Sequence, residues 1–211
     1  MDGRQGFWCP GAISVFFGSR SGALSAARLS KPSTTHSSWL VLLAWIHLSL
    51  GAAVPTSYLA AARIWPEHVP SLWGMLPQAW RFPYTVSMVA AAVGYLVFSY
   101  YLASAAVAYV ARGSEKAWAK RVCVGQLAVL IPSALWMPLT LFALSAGKAW
   151  LAIIQIVLAL VALGTIYLAS LIWRSGHRPA LRRIALLGVA AFAWQTVALD
   201  ACLWPQYFLL P

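Results

Sequence analysis

Five long apolar runs constrain this chain more than any other feature. The runs hold no Lys or Arg, and one acid, Asp200, lies in the last of them. Each has at least the ~20 residues that an α-helix needs to cross about 30 Å of hydrocarbon. They are continuously apolar, whereas the strands of a membrane barrel alternate. We therefore predict an all-α integral membrane protein, a five-transmembrane-helix bundle with spans at about 39–62, 83–111, 122–147, 149–173 and 184–204.

The basic residues predict the orientation of these spans. All 15 Lys and Arg lie outside the runs, and twelve of them fall before the first run, between the second and third, or between the fourth and fifth. The alternate segments hold only Arg63, Arg81 and Lys148. Cytoplasmic connections carry an excess of Lys and Arg, so we expect the N-terminus on the positive, inside face and the C-terminus on the opposite face.

Composition excludes several classes of protein. With 62% hydrophobic and 9% charged residues, the chain has too little polar surface for a water-soluble fold. The net charge of +11 is accounted for by the topology signal, and no nucleic-acid motif accompanies it, so the expected partner is the lipid bilayer and not nucleic acid. Cys9, Cys123 and Cys202 lie far apart without metal-ligand spacing, which argues against a disulfide framework or a zinc site.

Residues 1–38 form a basic segment rich in Ser and Arg, with one acid, Asp2. This composition is typical of an organelle transit peptide, mitochondrial or plastid. A cytoplasmic tail, or upstream sequence from a misjudged start codon, are the alternatives. The membrane domain is predicted to cover 39–211.

The connection 65–82 is long and rich in tryptophan and proline. It contains Trp65, Trp73 and Trp80. Connections of this length are often functional. Its indoles belong either at the headgroup level or over a cavity in the bundle, and the sequence leaves both interpretations open.

Few polar side chains lie within the spans. A carboxylate inside a membrane usually faces the bundle interior, so we expect Asp200 to do so, with Thr196, Gln126 or Gln195 as hydrogen-bond partners. A position near the interface, partly hydrated, is the alternative for Asp200. His47 has no second ligand at metal spacing and is expected to bond a neighbouring helix. No catalytic constellation is visible, so an enzyme has the least support.

Three local patterns resemble a known family. The first is Pro77, Trp80 and Phe82 followed by the segment 94–98, Gly-Tyr-Leu-Val-Phe. The second is Gly-Gln-Leu-Ala at 125–128 followed by Ala-Leu-Trp-Met-Pro-Leu at 134–139. The third is Leu199 and Asp200 with Trp204. Together with five spans and 12 tryptophans, they resemble the translocator protein family, also called tryptophan-rich sensory proteins or peripheral benzodiazepine receptors.

The chain departs from that family at several positions. Trp136 follows Gln126 by ten residues where the family has about seven, and Asp200 stands where the family has an amide. The family's Asn in the third helix is absent, and the first loop lacks its KPxWxPP run.

The resemblance implies a helix-bundle pocket under the first loop that accepts tetrapyrroles or sterols. Trp80 and Trp73 would belong to the lid, and Gln126, Trp136 and Asp200 would line or support the cavity. The resemblance implies that the function is binding or transport of a hydrophobic small molecule. It implies no bound cofactor, and porphyrin or haem would be a ligand. A homodimer is a possible assembly. The rival hypothesis is a structural membrane subunit or assembly factor without a pocket, whose aromatics form belts and whose polar groups only join helices.

Overall fold

The computed structural model describes residues 35–111, 116–146 and 150–209. Residues 1–34, which hold most of the segment assigned to targeting or to a tail, lie outside this part. Every regular element in the described part is helical, and it contains no strand. The all-α prediction is confirmed.

Five helices are long and apolar enough to cross a membrane, as the sequence predicts. They cover Ser38–Ile64, Gln78–Ala111, Ala117–Leu144, Leu151–Arg174 and Pro179–Phe208. The regular elements within them are α1 (Thr35–Trp45), α2 (Gly51–Ile64), α3 (Gln78–Ala111), α4 (Lys116–Ala146), α5 (Leu151–Arg174), α6 (Pro179–Ala193) and α7 (Trp204–Leu209).

Two of the helices contain a π-helical stretch. The first π segment, Ile46–Leu50, joins α1 to α2, and the second π segment, Trp194–Leu203, joins α6 to α7. In the second, the Trp204 N–H bonds the Leu199 carbonyl five residues earlier. Such stretches are rare and often occur at functional sites.

The connection between the first two spans is shorter than predicted. Two 3₁₀ turns, Pro66–His68 and Pro70–Trp73, fold it, and α3 already begins at Gln78. Residues 78–82 are therefore helical, although Arg81 lies among them and Pro83 follows. A charged side chain ends an apolar run without ending a helix, because a long basic side chain extends its charge towards the membrane surface.

Each helix packs against one or two main neighbours. α3 packs mainly against α6, α4 against α5, and α1 and α2 against α4, while α5 also contacts α6. A Cβ at Gly188 would lie 2.8 Å from the Gly94 carbonyl oxygen, so only glycine permits this approach of α3 and α6.

Contacts between distant residues identify the two ends of the bundle. At the loop end, the Trp204 indole N–H donates to the Leu72 carbonyl (2.8 Å), and the Met75 N–H donates to the Tyr207 carbonyl (3.1 Å). At the other end, the Tyr101 hydroxyl bonds Ser175 Oγ and the His177 carbonyl, both at 2.9 Å. The first connection and the C-terminal helix α7 therefore lie together.

Candidate ligand cavity

A cavity of about 710 Å³ lies inside the bundle between α2, α3, α4 and the second π segment. This volume falls within the range of small-molecule sites, about 300–1,000 Å³. Most of its wall is aliphatic or aromatic. The wall includes His47, Val54, Tyr58, Val89, Tyr95, Leu96, Ser99, Tyr100, Val129, Ser133, Trp136, Phe192, Gln195, Thr196 and Asp200.

The cavity opens sideways between α2 and α3. Val89, Leu96 and Tyr100 border it and are also exposed on the outside of α3. α2 packs on α4 and makes little contact with α3, so no helix of the described residues closes this side. A hydrophobic molecule in a surrounding bilayer would meet the opening directly.

Asp200 faces the cavity and is held by two donors. The Tyr84 hydroxyl, from α3, and the Gln195 side-chain amide (2.8 Å) both donate to its Oδ1. The expectation of an interior position, with Gln195 as a partner, agrees with this geometry. Thr196 does not contact Asp200 and instead donates to the Phe192 carbonyl of its own helix (2.9 Å).

The π-helical backbone explains this change of partner. In an α-helix, residues four apart, such as 196 and 200, lie on one face. A π-helix bonds each N–H to the carbonyl five residues earlier, which brings position 195 close to position 200 as well. Sequence spacing alone assumes an α-helix, so it favoured Thr196.

Trp73 supports the Asp200 site from behind. Its indole meets the Tyr84 ring edge-on at 5.9 Å between centroids. The Arg81 guanidinium lies 5.8 Å from the Trp73 ring centroid. The loop residue Trp73 therefore packs against the tyrosine that bonds Asp200 and does not itself reach the cavity wall.

Gln126 lies behind the cavity wall and forms hydrogen bonds to two residues that line it. It is fully buried, accepts a hydrogen bond from the Tyr95 hydroxyl (2.9 Å), and donates to Ser99 Oγ (3.2 Å). Tyr95 and Ser99 both line the cavity. Gln126 thus fixes the orientation of two wall residues that the sequence did not single out.

Trp136 forms part of the cavity wall at the loop end. Its ring lies 5.8 Å from Tyr58 and 5.9 Å from Trp204, and Trp204 stacks on Phe208 at 4.3 Å. Trp136 is buried, and its Nε1–H has no hydrogen-bond partner within the described part of the chain. A buried donor of this kind is well placed to bond an acceptor on a ligand.

His47 also lines the cavity and has a nitrogen without a hydrogen-bond partner among the described residues. Its Nδ1 lies 2.8 Å from the Leu43 carbonyl, which can only accept, so Nδ1 carries the proton and Nε2 is the acceptor of the neutral ring. Nε2 is buried without a partner among the described residues. The expected bond to a neighbouring helix is replaced by one within the same helix, because a carbonyl one turn earlier is within reach.

Trp80 lies away from the cavity. It is the third residue of α3, and its side chain is 62% exposed. The structure thus brings Trp136 and Asp200 to the cavity wall, places Gln126 and Trp73 directly behind it, and leaves Trp80 on the outer surface.

No group of three His, Cys, Asp or Glu side chains that could hold a metal ion occurs within 35–111, 116–146 and 150–209. Comparison of the chain with protein families, with curated proteins and with solved structures finds no significant match.

Proposed function

We propose that this chain is a multi-pass membrane protein that binds or transports a hydrophobic small molecule in its central cavity. The cavity carries the proposal: about 710 Å³ of mostly apolar, aromatic-rich wall with a few fixed polar groups is the usual composition of a ligand site. A divergent relationship to the translocator protein family, with its tetrapyrrole and sterol ligands, is part of the same proposal.

The proposed topology places the N-terminus and the connections near 112–121 and 174–183 on the inside face. The loop near 65–77 and the C-terminus would lie on the opposite face. The asymmetry of twelve basic residues against three supports this orientation. The hydrogen bonds from Trp204 to Leu72 and from Met75 to Tyr207 are consistent with it, because both elements lie at one end of the bundle.

Between the two ligand classes, the wall supports the sterol class more directly. Asp200 is its one acidic group, and no Lys or Arg lines it among the described residues. The two carboxylates of a protoporphyrin would therefore have to remain at the opening, because burying them unpaired near Asp200 is costly. A sterol is uncharged, and its hydroxyl can accept from the Trp136 Nε1–H.

The alternative is a structural membrane subunit or assembly factor. In such a protein, packed side chains would fill the volume of the central cavity. The cavity favours binding over that alternative. Helix-joining polar groups are nevertheless present, since Gln126 links α4 to α3 through Tyr95 and Ser99.

Binding can be tested with the fluorescent sterol dehydroergosterol and protein in sterol-free nanodiscs. We expect saturable energy transfer from tryptophan to the sterol. Trp136→Phe removes the indole N–H and should weaken binding about fivefold, the equivalent of one hydrogen bond of about 1 kcal/mol.

Trp80→Phe and Trp173→Phe are the matched controls, because both indoles are exposed, at 62% and 73%. We expect both to bind like the wild type. Transfer that never saturates, or an equal effect of all three changes, would identify nonspecific partitioning and contradict the proposal. The same variants are titrated with protoporphyrin, and binding is measured by quenching of tryptophan fluorescence. Comparison of the two affinities shows which ligand class the cavity prefers.

A further inference from the structure

A second, polar pocket of about 380 Å³ lies at the end of the bundle opposite the loop. It is formed where the end of α3, the start of α4 and the end of α5 meet. Its wall shares no residue with the central cavity. It is lined by Tyr109, Trp118, Arg121, Tyr167, Ser170 and Arg174, together with one leucine.

The two arginines of this pocket lack carboxylate partners in the described structure. Within that part of the chain, the only carboxylate close to a basic group is Glu67, 3.8 Å from His68 in the loop at the far end. Asp200 also lies towards that far end, bonded to Tyr84 and Gln195. Arg121 and Arg174 therefore bring two positive charges to the pocket wall, and no carboxylate of the described residues pairs with either of them.

Trp118 supplies an independent observation. Its side chain is only 5% exposed, and its Nε1–H has no hydrogen-bond partner among the described residues. The Tyr109 ring lies 5.0 Å from the Trp118 ring and holds it in place. Trp118 thus brings an unused donor next to the two arginines of the pocket wall, and an oxygen-rich anionic ligand suits such a set of groups because it accepts hydrogen bonds and carries the opposite charge.

α5 presents its pocket residues on a single face. Tyr167, Ser170 and Arg174 lie three and four residues apart, the spacing of neighbours on a helix surface. The Ser170 hydroxyl is occupied by the Tyr167 carbonyl (2.7 Å). The donors that remain for a ligand are thus the two guanidinium groups, the Tyr167 hydroxyl and the Trp118 N–H.

We propose that this pocket binds a phosphate group, and that its source is the headgroup of an anionic phospholipid. Guanidinium groups match phosphate geometry with paired hydrogen bonds. Basic pockets between membrane helices on the inside face are suited to anionic headgroups. Two of its residues, Arg121 and Arg174, belong in sequence to the basic connections of the proposed inside face, so the pocket would meet the headgroups of that leaflet. This site extends the proposed function and does not depend on a ligand in the central cavity.

The test measures binding of phosphatidylglycerol to the full chain in detergent by native mass spectrometry, with phosphatidylcholine as the reference lipid. Arg121→Gln/Arg174→Gln should weaken phosphatidylglycerol binding by on the order of tenfold or more, since each basic side chain near an anionic surface contributes about fivefold. Trp118→Phe keeps the ring and removes the N–H, and should weaken binding by about fivefold.

Arg178→Gln/Arg183→Gln is the matched control. Both side chains are exposed at the same end of the bundle and lie outside the pocket wall, and the double change removes the same net charge. We expect it to weaken binding much less than the pocket variant. Arg121→Lys/Arg174→Lys preserves charge and should give an intermediate affinity, because paired hydrogen bonding is lost.

Inorganic phosphate is titrated into two samples, protein with bound phosphatidylglycerol and protein in phosphatidylcholine alone, and this separates the two sources of the phosphate group. Competition of phosphate for bound phosphatidylglycerol only at very high concentration supports the lipid headgroup. If phosphate binds more tightly than the lipid, and the pocket variant loses this binding, the pocket is a phosphate site. The lipid headgroup would then be wrong as the source of the phosphate group. An equal effect of the two arginine double changes, or no preference for phosphatidylglycerol, would overturn the site itself.

Discussion

Asp200 joins two helices and the cavity through one carboxylate. Its donors, Tyr84 and Gln195, come from α3 and from the second π segment. A carboxylate in a membrane span is costly unless its oxygen atoms are bonded. The pair of donors explains how this position tolerates an acid inside a span.

Replacement of Asp200 separates hydrogen bonding from charge. Asp200→Asn keeps an oxygen acceptor for Tyr84 and Gln195, so we expect thermal stability equal to or above that of the wild type. Asp200→Leu leaves both donors unpaired in a largely apolar site, which should cost roughly 1–3 kcal/mol. Thermal unfolding of the purified variants in one detergent gives the comparison.

Thr196→Val is the control for this pair of changes. Thr196 bonds only the backbone of its own helix at Phe192, so its loss should leave stability nearly unchanged. Equal stability of the Asn and Leu variants would show that Asp200 is hydrated at the interface and that the fifth-span part of the site is wrong.

Individual site residues were partly predictable from the sequence. Asp200 and Trp136 stood out because an acid is rare in a span and because the local pattern around Trp136 resembled a family motif. Tyr84 and Tyr58 gave no comparable signal, and Tyr95 was assigned no role although it lies in the segment 94–98 that resembled the family, since a tyrosine in an apolar run reads equally well as packing or as an interfacial anchor. Their roles depend on which helices become neighbours, and sequence spacing within one helix does not contain that information.

At the scale of helices, existence and number followed from hydrophobic length, while boundaries and local geometry did not. α3 extends five residues before the apolar run, from Gln78, and this places Trp80 on a helix surface instead of in the lid. The two π segments, which lie beside the cavity and aim His47, Gln195 and Asp200, have no recognisable sequence pattern. α4 runs through Pro132 and Pro138 without interruption.

The connections between helices provide a test of the proposed topology. Single cysteines replace exposed residues in a background without other cysteines, and sealed vesicles are treated with a membrane-impermeant maleimide. We expect Ser71→Cys and Gln206→Cys to react from one side, and Lys120→Cys and Arg183→Cys from the other. Reaction of Ser71→Cys and Lys120→Cys from the same side would contradict a five-span arrangement.

At the scale of the whole molecule, the described helices form a packed bundle with one open side, between α2 and α3. α3 and α6 approach closely at Gly94 and Gly188, which stabilises that side. α2 and α3 leave the cavity open between them, and the loop is fastened to α7 at the far end by the bonds at Leu72 and Met75. Because these bonds hold the loop over its end of the bundle, the opening between α2 and α3 is the more direct route for a ligand that arrives through the bilayer.

Photolabelling with a diazirine sterol tests most directly whether the central cavity holds a hydrophobic ligand. Protein in nanodiscs is irradiated with the probe, and the labelled residues are mapped by mass spectrometry. We predict adducts on cavity residues of α2, α3 and α4, such as Tyr58, Tyr95 and Trp136, that disappear with excess unlabelled sterol. Adducts concentrated on outward residues of α5, such as Ile156 and Leu163, and unaffected by competitor, would contradict a binding cavity.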